Sequence, residues 1–332
     1  MTRLGSTTTK PSDTTPAAVV PDADPAAVMR VASAPCSFGV DEVLVEDAWM
    51  PEPDDMLAWM AELGYAGTEL GPPGYLGDGP QVRQRLTRRG LQLVGSFLPQ
   101  RFSRPEHVEE DQAWLRASLR LVAEATPPGS RPFAVLADGV REPVRLAYSG
   151  RIAEHPEAWL PEARFEALVA NLHRAAEICR EEGFEPVFHP HAGTYVETAD
   201  DIRRVVERMD ASLVGLCLDT GHFRYGGADP ARAVVDYAAI IRHVHLKDTR
   251  TAIIRDVAAD GLGLAESLSR GVFCPLGEGD ADIPGTVAAL RTIGYTGWLV
   301  VEQDQLLTAM VTPQDLVEGQ RRNRAYLRDL GA

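Results

Sequence analysis

The 332-residue chain is short of positive charge: Lys and Arg number 33 against 48 Asp and Glu, a formal charge of −15. Such an acidic chain repels phosphate backbones and anionic lipid surfaces. No basic run with interleaved aromatics offsets this, so neither nucleic acid nor membrane is an expected partner. Long apolar runs are lacking too. No stretch of about 18 apolar residues exists to span a bilayer. The N-terminal segment carries Arg3 and Lys10 without the apolar stretch of a signal peptide. Cysteine is scarce. Cys36, Cys179, Cys217 and Cys274 stand far apart with no C-x-x-C. That spacing predicts buried or partly buried thiols rather than disulfides or a structural zinc site, and it fits a reducing, cytoplasmic compartment.

What is present is a globular composition, 45% hydrophobic and 24% charged, with enough apolar material for a core. The length allows one large domain or two of about 150 residues. Residues 1–29 are rich in Thr, Pro, Ala, Ser and Asp and hold no lasting period. They read as a disordered tail, because little there offsets the entropy of ordering it. From Arg30 to Ala332 the texture is uniform, with no Pro/Gly-rich linker, and reads as one domain.

Short β-type runs alternate with helical patterns through this body. The strand runs are 31–38, 67–71, 91–99, 131–138, 185–193, 213–222, 240–248 and 297–304. Between them, apolar residues recur at helical spacing. Met56, Trp59, Met60 and Leu63 share one face, and Phe165, Leu168, Val169, Leu172 and Ala176 another. Shorter faces comprise Ile202, Val205, Val206 and Met209; Ala231, Val234, Val235 and Ala238; and Ile283, Val287, Leu290 and Ile293. Gly64 and Gly294 stand where helix C-caps are needed, and a last helix is expected from about 313 to 330 with Pro313 near its start. Eight strands alternating with helices over about 300 residues predict an α/β fold, a (β/α)8 TIM barrel. A doubly wound sheet would want a Gly-rich turn after the first strand. GVDEVLVEDAW stands there instead. Two connections, about 139–160 and 249–282, are too long to be simple helices and are candidate lids over the C-terminal rim.

That rim is where the polar residues gather. Five of the eight histidines fall in HPH (189–191), DTGH (219–222) and HVH (243–245). Asp219, Asp248, Glu302, Asp304 and Glu69 end or follow strands in the same way. Strand alternation offers one inward residue per strand end: His189, Asp219, His245 and Glu302. Two imidazoles with two carboxylates suit Mn²⁺, Co²⁺, Fe²⁺ or Zn²⁺. A carboxylate closing an apolar strand, as Asp219 does, wants a cation, a helix N-terminus or backbone donors. His189 has a competing role as a substrate-binding group. His191 and His222 are acid/base candidates, and Lys247 could stabilise an enolate oxygen or move a proton. Glu69 could bind a hydroxyl or act as base, with a core salt bridge as the plainer alternative. Glu278, in the glycine-rich PLGEGD segment, is expected to touch substrate or a closing loop. Phe273, Phe223 and Trp298 are candidate pocket walls.

The motifs GYAGTELG (64–71), VGLCLDTGH (214–222), HVHLKD (243–248), PLGEGDADI (275–283) and GYTGWLVVEQD (294–304) resemble those of the xylose-isomerase-like TIM-barrel superfamily of sugar isomerases, epimerases and endonuclease-IV-like proteins. GTELGPPGYL, GSFLP and FHPHAGTYVET look most like inosose dehydratases and their relatives. The resemblance implies a divalent metal, Mn²⁺ or Co²⁺ first, with Zn²⁺, Fe²⁺ or Mg²⁺ open. It also implies a small polyhydroxylated keto substrate that loses water. Epimerases of this superfamily use glutamates at the ends of strands five and eight. Here Glu302 matches the second, but His189 holds the place of the first. A metal-dependent ketose epimerase or isomerase is the runner-up expectation, followed by a 3-keto-glycoside eliminase and a non-catalytic sugar-binding barrel. Barrels of this kind often pair, but no interface signature marks a homo-oligomer here.

Overall fold

The computed structural model describes residues 29–40, 49–304, 307 and 311–332. The tail expected over 1–29 lies, Met29 apart, outside the described residues. Eight parallel strands close a barrel. They are β1 (Arg30–Ser33), β2 (Gly67–Glu69), β3 (Gln92–Gln100), β4 (Phe133–Asp138), β5 (Glu185–Phe188), β6 (Gly215–Asp219), β7 (Ile241–Leu246) and, after two short strands, β10 (Trp298–Val301). Six fall inside the expected runs, and β1 and β3 each overrun theirs by one residue. β1 closes the ring, pairing with β10 on one side and β2 on the other.

Helices surround the barrel: α1 (Pro53–Glu62), α2 (Gly79–Arg89), α3 (Val108–Ala125), α5 (Glu162–Glu181), α6 (Ala199–Arg208), α8 (Pro230–Asp236), α11 (Ile283–Thr292) and α12 (Pro313–Asp329). Their ends follow local chemistry. Asp78 with Gln81, Thr198 with Asp201 and Thr312 with Asp315 form reciprocal caps at the starts of α2, α6 and α12. Gly64 and Gly294 follow α1 and α11 at φ 81° and 71°, the left-handed conformation a side chain resists. The stripe expected in α5 is buried, Phe165, Leu168, Val169, Leu172 and Ala176 included. Each large side chain so buried contributes about 1.5–3 kcal/mol. All four cysteines are free thiols. Among the described residues no helix is long and apolar enough to cross a membrane.

The two long connections fold into a roof over the C-terminal rim. One holds α4 (Pro143–Tyr148). The other, after β7, holds α9 (Thr251–Ala259) and α10 (Leu264–Ser269), with β8 (Asp248–Thr249) pairing antiparallel to β9 (Phe273–Cys274), and the short α7 (Thr220–Tyr225) after β6 packs against it. The roof has its own small core: Ala192, Tyr225, Ile254, Leu264, Val272 and Phe273, with Leu146, Ile253 and Leu268 against it. Buried polar bolts tie it down. The Glu197 carboxylate accepts hydrogen bonds from Ser149 Oγ and from the backbone N–H of Gly150 and Gly193. Arg145, fully buried, donates to Thr194 O at 2.7 Å and reaches Asp201 at 3.2 Å.

Candidate metal centre

The strand ends deliver their side chains to one point. β6 and β7 pair with Asp219 directly opposite His245, after a register shift at Leu216/Cys217. Val300 pairs with His245 as well, so Glu302, two residues on and on the same face, arrives beside it. One ligand atom each from His189, Asp219, His245 and Glu302 lies within 4.8 Å of the others, and all four residues are buried. His189 Nε2 is 3.7 Å from Asp219 Oδ2; His245 Nδ1 is 3.7 Å from the same oxygen and 3.2 Å from Glu302 Oε2.

The outer nitrogens of the two imidazoles reveal what the inner ones offer. His189 Nδ1 lies 2.7 Å from Pro190 O, and His245 Nε2 lies 3.0 Å from Glu69 Oε1. Both partners only accept, so those nitrogens carry hydrogen. His189 Nε2 and His245 Nδ1 are then the nitrogens that face two carboxylates, an arrangement that calls for a cation, whether a proton or a metal ion. Asp219 Oδ2 and His245 Nδ1 are moreover buried with no hydrogen-bond partner, which is costly unless something binds them. The donor set fits a divalent metal of the Mn²⁺, Co²⁺, Fe²⁺ or Zn²⁺ kind. Cys217 lies close to His189 and His245, but burial pushes its thiol up to about 11. Without a metal beside it the thiol keeps its proton, so the imidazoles and carboxylates are the readier donors.

Charge in the cluster is strongly organised. Burial would raise the Asp219 pKa, but the charges of Lys247, His222 and His189 hold it well below the usual range. Glu302 is likewise lowered, against burial, by His245 and Lys247. Burial would lower His245, but the carboxylates of Glu302 and Glu69 raise it well above the usual value. His189 is pushed down to about 4 by burial first, then by the charge of His245. Asp219 also caps α7, its Oδ1 accepting from His222 N at 2.8 Å, which fixes the carboxylate while Oδ2 faces the cluster.

A cavity of about 380 Å³ opens above these groups. His191, His222, Lys247 and Glu69 line it with His189, His245 and Glu302, so all but one of the residues singled out for chemistry meet here or, like Asp219, directly beneath. Lys247 Nζ contacts both Asp304 oxygens at 3.0 Å, Glu302 Oε2 at 3.2 Å and His222 Nε2 at 3.1 Å. His191 and His222 overlap, with ring centroids 3.8 Å apart. Glu69 accepts from His243 and His245 while facing the cavity.

Glu278 stands elsewhere. It pairs with Arg250 and Arg322 at 2.8 Å, is 39% exposed and does not line the cavity. Its glycine-rich loop serves Asp248, whose carboxylate accepts from the N–H groups of Gly277, Gly279 and Ala281. A Cβ on Gly279 would lie 2.4 Å from Asp248 Oδ1. Of the expected aromatic walls, Phe273 lines the cavity. Phe223 is buried in the main core, and Trp298 packs beneath Arg30 at the start of β10, the opposite end from the rim. Sequence reasoning put Asp304 and His243 at the rim but gave them no role in the site, although each lies two residues from a chosen donor on the same face. It also missed Phe97 and Arg141, cavity residues on a strand and a loop with nothing local to mark them.

Residues 57–330 match the family described as xylose isomerase-like TIM barrel. The chain is 36% identical over 255 residues to the inosose dehydratase of Geobacillus kaustophilus (strain HTA426), covering 76% of this chain and 80% of that protein. It is 33% identical over 255 residues to the rhizopine catabolism protein MocC of Rhizobium meliloti, covering 76% and 74%. The solved structure of L-ribulose 3-epimerase superposes with a TM-score of 0.64 at 17% identity, covering 91% of this chain and 94% of that one, a likeness of fold. The chain belongs to the xylose isomerase-like TIM-barrel family, and within it is related to the inosose dehydratases.

Proposed function

We propose that the protein is a metal-dependent dehydratase that removes water from a β-hydroxy keto-cyclitol such as an inosose. The observation that carries this reading is the one-sided placement of acid–base groups. His189, not a second glutamate, follows β5, so two carboxylates do not face each other across the substrate. Two overlapping imidazoles, His191 and His222, line the cavity beside the donor cluster instead.

A divalent metal held by His189, Asp219, His245 and Glu302 would polarise the ketone as a Lewis acid. The remaining work falls to the chain. His191 Nδ1 lies 2.9 Å from Ala192 O and carries hydrogen, leaving Nε2 with a lone pair for the cavity. Burial first, then the charge of Arg141, holds this imidazole well below its usual pKa, so it is neutral and able to accept the α-proton. The C–H electron pair becomes the new double bond. The β C–O bond breaks with its pair, and the departing hydroxide takes the proton back from His191 and leaves as water. Lys247 serves as a standing cation for the negative charge that develops on oxygen. Burial would lower its pKa, but Asp304, Glu302 and Asp219 raise it well above the usual value, so it keeps its charge throughout. Phe273, at the edge of His222 and beneath the roof, keeps bulk water away from these groups.

The test is a proton NMR and mass-spectrometric time course in D₂O with scyllo- and myo-type inososes, the protein supplied in parallel with Mn²⁺, Co²⁺ or Zn²⁺. Loss of one water with formation of an enol or diketone is the expected result. Deuterium entering an α-position without loss of water would move the assignment to an epimerase or isomerase. Loss of an alcohol from a 3-keto-glycoside, with inososes untouched, would make it an eliminase.

A further inference from the structure

Glu69 lines the cavity, yet everything around it turns it toward β7. β2 slips register against β3 between Thr68 and Glu69, so that Glu69 pairs with Gly95 and Val94 is skipped. Such a bulge re-aims one side chain. The residue it meets must be small: a Cβ on Gly95 would lie 2.7 Å from Glu69 Oε1 and 3.1 Å from its Cδ. Seated there, and 3% exposed, Glu69 accepts through one oxygen from His243 Nε2 at 2.8 Å and His245 Nε2 at 3.0 Å. The two histidines are neighbours on one face of β7. Phe133 covers the ring of His243, with centroids 4.8 Å apart.

A carboxylate here only accepts, so the hydrogen of His245 sits on Nε2. Nδ1, the nitrogen facing Asp219 and Glu302, is thereby the one that can give up its proton and offer a lone pair to a metal. An anionic partner on the far nitrogen also makes the ligating nitrogen more basic.

We propose that Glu69, seated by the β3 bulge at Val94 and by Gly95, is a positioning residue that fixes His245 with Nδ1 toward the donor cluster and so sets the protein's metal affinity, rather than a substrate-binding group or base. The proposal rests on the metal reading above. His243 shares the oxygen and keeps the carboxylate turned toward β7. Gly95 acts only by leaving room.

The experiment is calorimetric Co²⁺ titration of metal-stripped wild-type, Glu69→Ala, Glu69→Gln and Gly95→Ala protein, with visible absorption of the Co²⁺-loaded forms and KM at saturating metal. Glu69→Ala is expected to weaken Co²⁺ binding about 10–100-fold and to shift the Co²⁺ absorption bands, with KM near wild type once metal saturates. Glu69→Gln, which keeps one accepting oxygen without the charge, should fall between. Gly95→Ala, which displaces the carboxylate without touching a ligand, should move affinity and spectrum in the same direction. It also carries the test if Glu69→Ala does not fold. Unchanged affinity and spectrum in the Glu69 and Gly95 variants, with KM raised or kcat lost at saturating metal, would overturn the proposal alone and make Glu69 a substrate group. Wild-type protein that takes up no Co²⁺ would overturn the metal reading and this proposal with it.

Discussion

The floor and the roof of the cavity are built on opposite principles. The floor is a set of charged and imidazole groups on parallel strand ends, held by short, rigid chain and fully buried. Its order comes from directional bonds: Asp219 capping α7, His189 on Pro190 O, His245 on Glu69. The roof is a small apolar core of Leu264, Phe273, Ile254 and neighbours, laid over the rim by long connections and pinned through Glu197 and Arg145. The floor thus leaves buried polar atoms unsatisfied, and on the proposed reading it would carry the chemistry while the roof excludes water. The contrast implies that floor variants should change metal uptake and rate, whereas roof variants should change stability and KM.

The largest break is expected at Asp219. Asp219→Ala should lose stoichiometric metal uptake and lower kcat/KM by about 10³-fold or more, several kcal/mol of Lewis-acid stabilisation at tenfold per 1.36 kcal/mol. Metal analysis and kinetics on protein with wild-type circular dichroism measure it. Retained metal and activity would show that the floor is not the metal centre. Next comes His191→Ala, expected to cost about 10²-fold or more in kcat while metal uptake is unchanged. A variant with normal kcat would remove His191 from the chemistry.

The roof should answer differently. Phe273→Ala should destabilise by about 3 kcal/mol and raise KM, with Co²⁺ affinity as in wild type. A change in metal affinity would erase the distinction between the two regions. Glu197→Gln leaves one of its buried donors poorly met, and should cost about 1–3 kcal/mol. Faster proteolytic cleavage within 139–160, at unchanged kcat, is its signature.

The smallest effects are those of pH. His245 holds a proton firmly, and a metal on Nδ1 must displace it. Metal affinity should fall as pH falls, and calorimetry in buffers of different ionisation enthalpy would count the proton released. At the roof, Asp138 closes β4 and accepts from Val140 N and Tyr195 N. Burial pushes its pKa up from 3.8 to about 7, against these bonds and the charge of Arg145. The folded state thus keeps a proton that the unfolded chain gives up. The stability this confers is present at low pH and is lost as pH rises through about 7. The melting temperature of Asp138→Asn should therefore fall less between pH 5 and 8 than that of wild type.

The barrel was legible because its signals are local and periodic: alternating runs for strands, three-to-four spacing for helices, glycine at two helix ends. The four donors were legible for the same reason, since alternation along a strand assigns one inward residue to each rim position. Local pattern put Asp304 and His243 at the rim as well, each two residues from a candidate donor. It could not place Glu278, whose loop is glycine-rich to accommodate the buried Asp248 and not a ligand, nor tell that Trp298 lies at the far end of its strand. The sequence by itself determined the fold class, the rim and the identity of the groups converging there, since periodicity and strand alternation are properties of neighbouring residues. Only the tertiary structure decided what each group does. The nitrogen His245 turns inward depends on a carboxylate 176 positions away, and the space for that carboxylate depends on a glycine in a third strand. Such contacts follow from register and closure of the barrel, which no local pattern encodes.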